Sequence, residues 1–234
     1  MKAIDFLRDL SLHNDKVWFE AHKAEYLEAK GEVEEIAADL IKGIREFDDT
    51  IGAMTPSSCT YRIYRDLRFS KDKTPYKNQM GIYVNRGGRK SGFSGYYFQI
   101  SAGDDEYAGG HMIAIGDYWC DPQVLKVLRE DIELGHGDFG AVLAQADPRL
   151  QLDTTGALKK VPAGFPKDSP DSEYFKLKKF CLYAKLDDEF VGSPDLVPNL
   201  LEICRSGKPF LDYINRAIEY VREESQPHFS SLDY

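Results

Sequence analysis

Met80-Gly81-Ile82-Tyr83-Val84 and Tyr96-Tyr97-Phe98-Gln99-Ile100 are two short runs of β-branched and aromatic residues. Asn85 to Gly95 lies between them and holds four glycines and three basic residues. This arrangement predicts two antiparallel strands joined by a long hairpin loop. Working outward, Thr60 to Tyr64 reads as a strand before the hairpin. Met112 to Ile115 reads as one after the Gly109-Gly110 break. Phe180 to Leu186 alternates well enough to be a late strand returning to the same sheet, after a turn-rich stretch from 147 to 172.

Helices flank this β-rich middle. Ile4, Phe6, Leu7 and Leu10 mark a first helix ending near Leu12, and Asn14 is a candidate N-cap for a second carrying Val17, Trp18 and Phe19. From Val33 the apolar positions 33, 36, 37, 40, 41, 44 and 47 follow a 3.6-residue period. Asp121-Pro122 opens another helix with proline at its first position. Phe139 to Ala146 reads as a shorter one. Leu196 to Cys204, closed by Gly207, and Phe210 to Val221 read as two final helices. The pattern predicts an α+β fold: one domain over residues 1–224, a mostly antiparallel sheet covered by N-terminal and C-terminal helices, and a frayed tail over 225–234.

The chain has 234 residues, with 42% hydrophobic and 29% charged, which is globular rather than disordered composition. Its four cysteines, Cys59, Cys120, Cys181 and Cys204, form no Cys-x-x-Cys pair. That argues against a zinc ribbon, a redox motif or a disulfide framework, and for a reducing compartment. The N-terminus lacks an apolar leader and no stretch is long enough to cross a bilayer, so the expected location is cytoplasmic with no membrane partner.

Charge is the informative feature. Residues 61–90 hold nine Lys or Arg against two Asp, a local +7 that leaves −16 on the rest of a chain whose total is −9. An acidic body repels nucleic acid in general, whereas a basic island on it suits a local anion site. Arg62, Arg65 and Arg68 recur at every third position, followed by Lys71, Lys73 and Lys77. Guanidinium forks match phosphate oxygens two at a time, and lysines add mobile charge. Tyr61, Tyr64 and Tyr76 are placed to stack or donate hydrogen bonds. The expected anion-binding residues are therefore Arg62, Arg65, Arg68, Lys73 and Lys77, with Tyr64, Tyr76 and His111 secondary. The same residues can instead pair locally, Arg65 with Asp66 and Arg68 with Asp72.

The run from Arg62-Ile63-Tyr64-Arg65-Asp66-Leu67-Arg68-Phe69-Ser70 to Lys71-Asp72-Lys73-Thr74-Pro75-Tyr76-Lys77 resembles the conserved bacterial and fungal family designated domain of unknown function 2461. Phe6-Leu7, Trp18-Phe19, Gly95-Tyr96-Tyr97, Gly109-Gly110, Leu158-Lys159, Pro162, Gly164-Phe165 and Leu177-Lys178 extend the resemblance over roughly residues 3 to 222. His13 departs from it, since the family more often has asparagine there. The resemblance implies a shared single domain and brings no reaction.

Other motifs carry less. Gly88-Arg89-Lys90-Ser91 resembles the end of a P-loop, but the earlier glycine is missing and the segment lies between strands. It reads as a hairpin tip able to lend Arg89 or Lys90 to a neighbouring anion. His13, His22, His111, His136 and His228 form no metal-binding unit. No nucleophile elbow and no dinucleotide fingerprint is present. The sequence thus predicts a protein binding a phosphate-bearing small molecule, with catalysis and cofactor left open. The alternative is a nucleic-acid-binding or protein-interaction module using the same basic strip.

Overall fold

The computed structural model describes residues 1–68, 71–103, 110–135 and 138–225. In chain order its elements are α1 (Lys2–Leu12), α2 (Lys16–Ala21), α3 (Lys23–Ile44), α4 (Pro56–Cys59), β1 (Gln79–Asn85), β2 (Gly95–Ser101), β3 (His111–Asp117), α5 (Pro122–Glu133), α6 (Phe139–Ala144), β4 (Gln151–Leu152), α7 (Ser172–Phe175), β5 (Phe180–Leu186), α8 (Asp188–Gly192) and α9 (Leu196–Glu224). Among the described residues the strands form one antiparallel sheet in the order β1-β2-β3-β5-β4. The fold is α+β, with helices at both ends of the chain. No helix among the described residues is long and apolar enough to cross a membrane.

Aspartates start several helices. Asp15, Asp121, Asp138 and Asp187 each accept a hydrogen bond from a backbone N–H in the first turn that would otherwise lack a partner. Asp15 therefore occupies the cap expected of Asn14. The Asn14 side chain instead donates to the Tyr76 carbonyl at 3.0 Å and accepts from the Tyr76 N–H at 3.1 Å, holding a distant segment against α2.

The two faces of the sheet differ. Ile82, Val84, Tyr96, Phe98, Ile113 and Ile115 are buried toward α3 and α9 with Leu40, Ile44, Leu200 and Cys204. Gly207 lets α9 approach the sheet, since a Cβ there would collide with Ile115. On this side the Tyr96 hydroxyl donates to buried Asp48 at 2.9 Å, so this buried carboxylate has a partner. The other face carries Tyr83, Tyr97, Gln99, Met112, Ala114 and Tyr183, of which Tyr83, Tyr97, Met112 and Tyr183 stay partly exposed.

Three sequence expectations change. Thr60 to Tyr64 is not a strand; it makes isolated bridges, Thr60 to Ile82 and Tyr64 to Tyr76. Tyr61 faces Gly81 whereas Ile63 faces Lys77, so the extra residues 78–80 on the opposite arm shift the register and interrupt the ladder. Gly207 does not end a helix: α9 runs from Leu196 to Glu224 through Gly207 and Pro209. The turn-rich stretch from 147 to 172 contains the short edge strand β4. All four cysteines are free. Gly109, His136, His228 and the tail beyond Ser225 lie outside the described residues.

Candidate functional site

Residues 60–68 and 71–82 run antiparallel at the outer edge of β1. The Tyr61 N–H donates to the Gly81 carbonyl (3.2 Å), the Arg65 N–H to the Pro75 carbonyl (3.0 Å) and the Lys77 N–H to the Ile63 carbonyl (2.8 Å). Phe69 and Ser70, in the centre of the basic motif, lie outside the described residues. The bridge pair Tyr64 and Tyr76 packs toward α2, with Tyr76 buried and stacked on Phe19 at 4.0 Å between ring centroids. The Tyr76 ring is thus core, and Tyr64 leans on the same aromatic cluster.

The basic residues separate into two groups. Arg65 is only 10% exposed and is held by the carboxylate of Asp72 and the hydroxyl of Thr74. The Thr74 N–H and then Arg65 pull the Asp72 carboxyl down to about 2. Arg68 forks onto Asp66, with Nε to Oδ1 at 2.9 Å and a terminal nitrogen to Oδ2 at 2.6 Å, and this pairing holds Asp66 at about 2. The partners are the reverse of the neighbour pairs expected from sequence. Lys73 donates to the Leu67 carbonyl at 3.0 Å.

The second group is Arg62, Lys77 and Arg89. The Lys77 Nζ lies 5.5 Å and the Arg89 guanidinium 4.9 Å from the centre of the Tyr61 ring. Arg89 reaches there from the β1–β2 loop and anchors its Nε on the Ser58 carbonyl at 2.7 Å. Arg62 is exposed. Burial, followed by repulsion from Arg62 and Arg89, lowers the Lys77 pKa. Among the described residues none of the three forms an ion pair. Asp66 feels Arg62, but its oxygens are engaged by Arg68. Lys77 and Arg89 thus share one tyrosine ring, Arg62 is close enough to act on Lys77, and among the described residues no carboxylate pairs with any of the three.

His111 stands apart from this cluster and is 5% exposed. Its Nδ1 accepts from the Ser101 N–H at 3.0 Å and its Nε2 lies 3.0 Å from Asp188 Oδ1. The neutral ring protonated at Nε2 satisfies both contacts. Asp188 also receives Arg8, and Arg8 then His111 lower its pKa. The triad ties α1, β3 and α8 together.

A cavity of about 350 Å³ lies beside α9, lined by Arg86, Asp212, Tyr213, Asn215, Arg216 and Glu219 among others. Size alone would favour it. Its charges are already matched, Arg86 by Glu219, Asp212 by Lys208 and Arg216 by Asp131. An anion entering it would meet as many carboxylates as cations.

The chain matches, over residues 2–213, the family described as conserved hypothetical protein (DUF2461). It belongs to that family. No curated protein and no solved structure matches it. The family span includes Tyr61, Arg62, Lys77 and Arg89. It ends within α9, before Glu219 and Arg222, which bind Arg86 and the Ser91 carbonyl of the β1–β2 loop. The part of Arg89 in the cluster was only faintly legible in sequence, as a loop cation able to reach a neighbour.

Proposed function

We propose that the protein binds a phosphate-bearing small molecule at the Tyr61 edge of the sheet, with Arg62, Lys77 and Arg89 as the anion contacts. Arg65, Arg68 and Lys73 shape the hairpin that presents them, as do Tyr64 and Tyr76. The supporting observation is Lys77: a partly buried cation facing two further cations and, among the described residues, no carboxylate. Such an arrangement costs stability unless an anion occupies it. Unpaired thiols and the acidic body fit a cytoplasmic protein with this role.

The test is titration with inorganic phosphate and pyrophosphate, read by calorimetry and thermal shift. Ligand at about a hundred times its dissociation constant stabilises the fold by about 2.7 kcal/mol. Lys77→Met keeps the stem packed on Tyr61 and removes the charge. It is expected to abolish the ligand shift while the unliganded melting temperature holds or rises. Arg65→Ala, in contrast, lowers the unliganded melting temperature, because Arg65 ties Asp72 and Thr74. Absence of phosphate and pyrophosphate binding, or an unchanged shift in Lys77→Met, rejects the proposal. A nucleic-acid reading of the same strip would require affinity that falls steeply with salt.

A further inference from the structure

The cation cluster sits at one margin of the partly exposed sheet face, and that face has a distinct relief. Tyr61 and Tyr97 meet edge-to-face at 6.3 Å between ring centroids. The Tyr97 ring lies over Gly81, where a Cβ would come within 2.7 Å of the Tyr97 hydroxyl oxygen. The glycine is what lets this ring lie close to the sheet. The Tyr97 hydroxyl donates to Gln99 Oε1 at 2.7 Å, and Gln99 Nε2 donates to the Gly110 carbonyl at 2.7 Å. The Tyr83 hydroxyl donates to the Phe93 carbonyl at 3.2 Å. These hydroxyls are committed, which fixes the rings.

The strand register then sets a row Tyr83, Tyr97, Ala114, Tyr183 across β1, β2, β3 and β5. Ala114 interrupts the aromatic row. It is only 8% exposed, a short side chain at the floor between two tyrosines. Tyr97 and Tyr183 stand two strand spacings apart, about 10 Å. That gap is wide enough for one planar ring between them. Tyr61 continues the same face three spacings from Ala114 and, facing Gly81, one two-residue step along the strands, roughly 16 Å between backbones; its ring leans back to 6.3 Å from the Tyr97 ring, which shortens that separation. An anion at Tyr61 and a ring above Ala114 are therefore separated by about the reach of a phosphorylated sugar carrying a base.

We infer that the bound anion is a nucleotide whose phosphates meet Arg62, Lys77 and Arg89 and whose base lies over Ala114 between Tyr97 and Tyr183. The inference rests on the anion reading above and adds the class of ligand. Charge complementarity selects the occupant: the aromatic face has uncompensated cations at its margin, so a neutral ring compound uses only part of it. Aromatic faces accept any base, so the geometry predicts weak discrimination between purines and pyrimidines.

The experiment compares ADP, pyrophosphate and a single-stranded decanucleotide by calorimetry at fixed ionic strength. ADP is expected to bind about tenfold or more tighter than pyrophosphate, the gain from stacking its base. Ala114→Leu fills the gap and is expected to erase that advantage while pyrophosphate binding persists. Tyr183→Leu, on a partly exposed side chain, supplies the same readout if Ala114→Leu fails to fold. Saturation-transfer NMR on the unsubstituted protein should show transfer from tyrosine protons to the base. Pyrophosphate binding as tightly as ADP overturns the inference and leaves the anion site standing. Absence of binding by both removes the anion site and the inference together. Decanucleotide binding far tighter than ADP overturns it in favour of nucleic acid.

Discussion

At the scale of single residues, similar arginines have different surroundings. Arg65 and Arg68 each pair with an aspartate close in sequence, whereas Arg62 forms no ion pair among the described residues. Lys77 is the sharpest case, because burial and then two neighbouring cations depress its pKa. Between that depressed value and 10.5 the unfolded chain binds more protons than the folded one, so through this residue folding stability rises with pH across the window. Anion binding has the opposite dependence, since it favours protonated Lys77. Phosphate affinity is therefore expected to fall as pH rises through a range below the ordinary lysine value, with proton uptake on binding there. Calorimetry in two buffers of different ionisation enthalpy measures that uptake. An affinity flat across this range would contradict the placement of Lys77 at the anion.

At the scale of elements, close approach of backbones decides what fits. Gly116 pairs with Cys181 in the β3–β5 ladder at φ 120°, where a Cβ would strike the Phe180 carbonyl and the Phe210 ring. Gly116→Ala meets both the backbone strain and the collision, and is expected to cost at least about 1–3 kcal/mol. Denaturant unfolding should show the loss as a lower midpoint at unchanged slope. Wild-type stability in the variant would mean that β3 and β5 pack differently there. The basic hairpin depends on contacts of the same long-range kind. Asn14 grips the Tyr76 backbone and Tyr76 stacks on Phe19, so α2 fixes the base of the arm that carries Lys77.

At the scale of the whole molecule, charge is segregated and its pH response has a definite sign. Asp66, Asp72, Asp147, Asp153 and Asp188 have lowered pKa values, whereas burial raises that of Asp117. The lowered group contributes stability that is complete above the unfolded carboxylate value of 3.8 and is lost as pH falls toward about 2. Melting temperature is expected to decline over that interval, and a flat profile between pH 4 and pH 2 would show that these ion pairs do not form in solution. Much of the architecture was legible from residues alone. Phe180 to Leu186 alternates and is β5, the glycine-rich 85–95 run is the β1–β2 loop, and Asp121-Pro122 starts α5. These follow from local periodicity and backbone chemistry, which a sequence carries directly. Continuity of α9 through Gly207 was hidden, because the space a glycine leaves is filled by Ile115 of another element. The candidate site divides in the same way. The sequence alone determined a basic island on an acidic α+β protein. Only the tertiary structure decided which cations are neutralised and which converge, because Tyr61, Lys77 and Arg89 meet through strand pairing and loop return, and Coulomb energy depends on distance in space rather than along the chain.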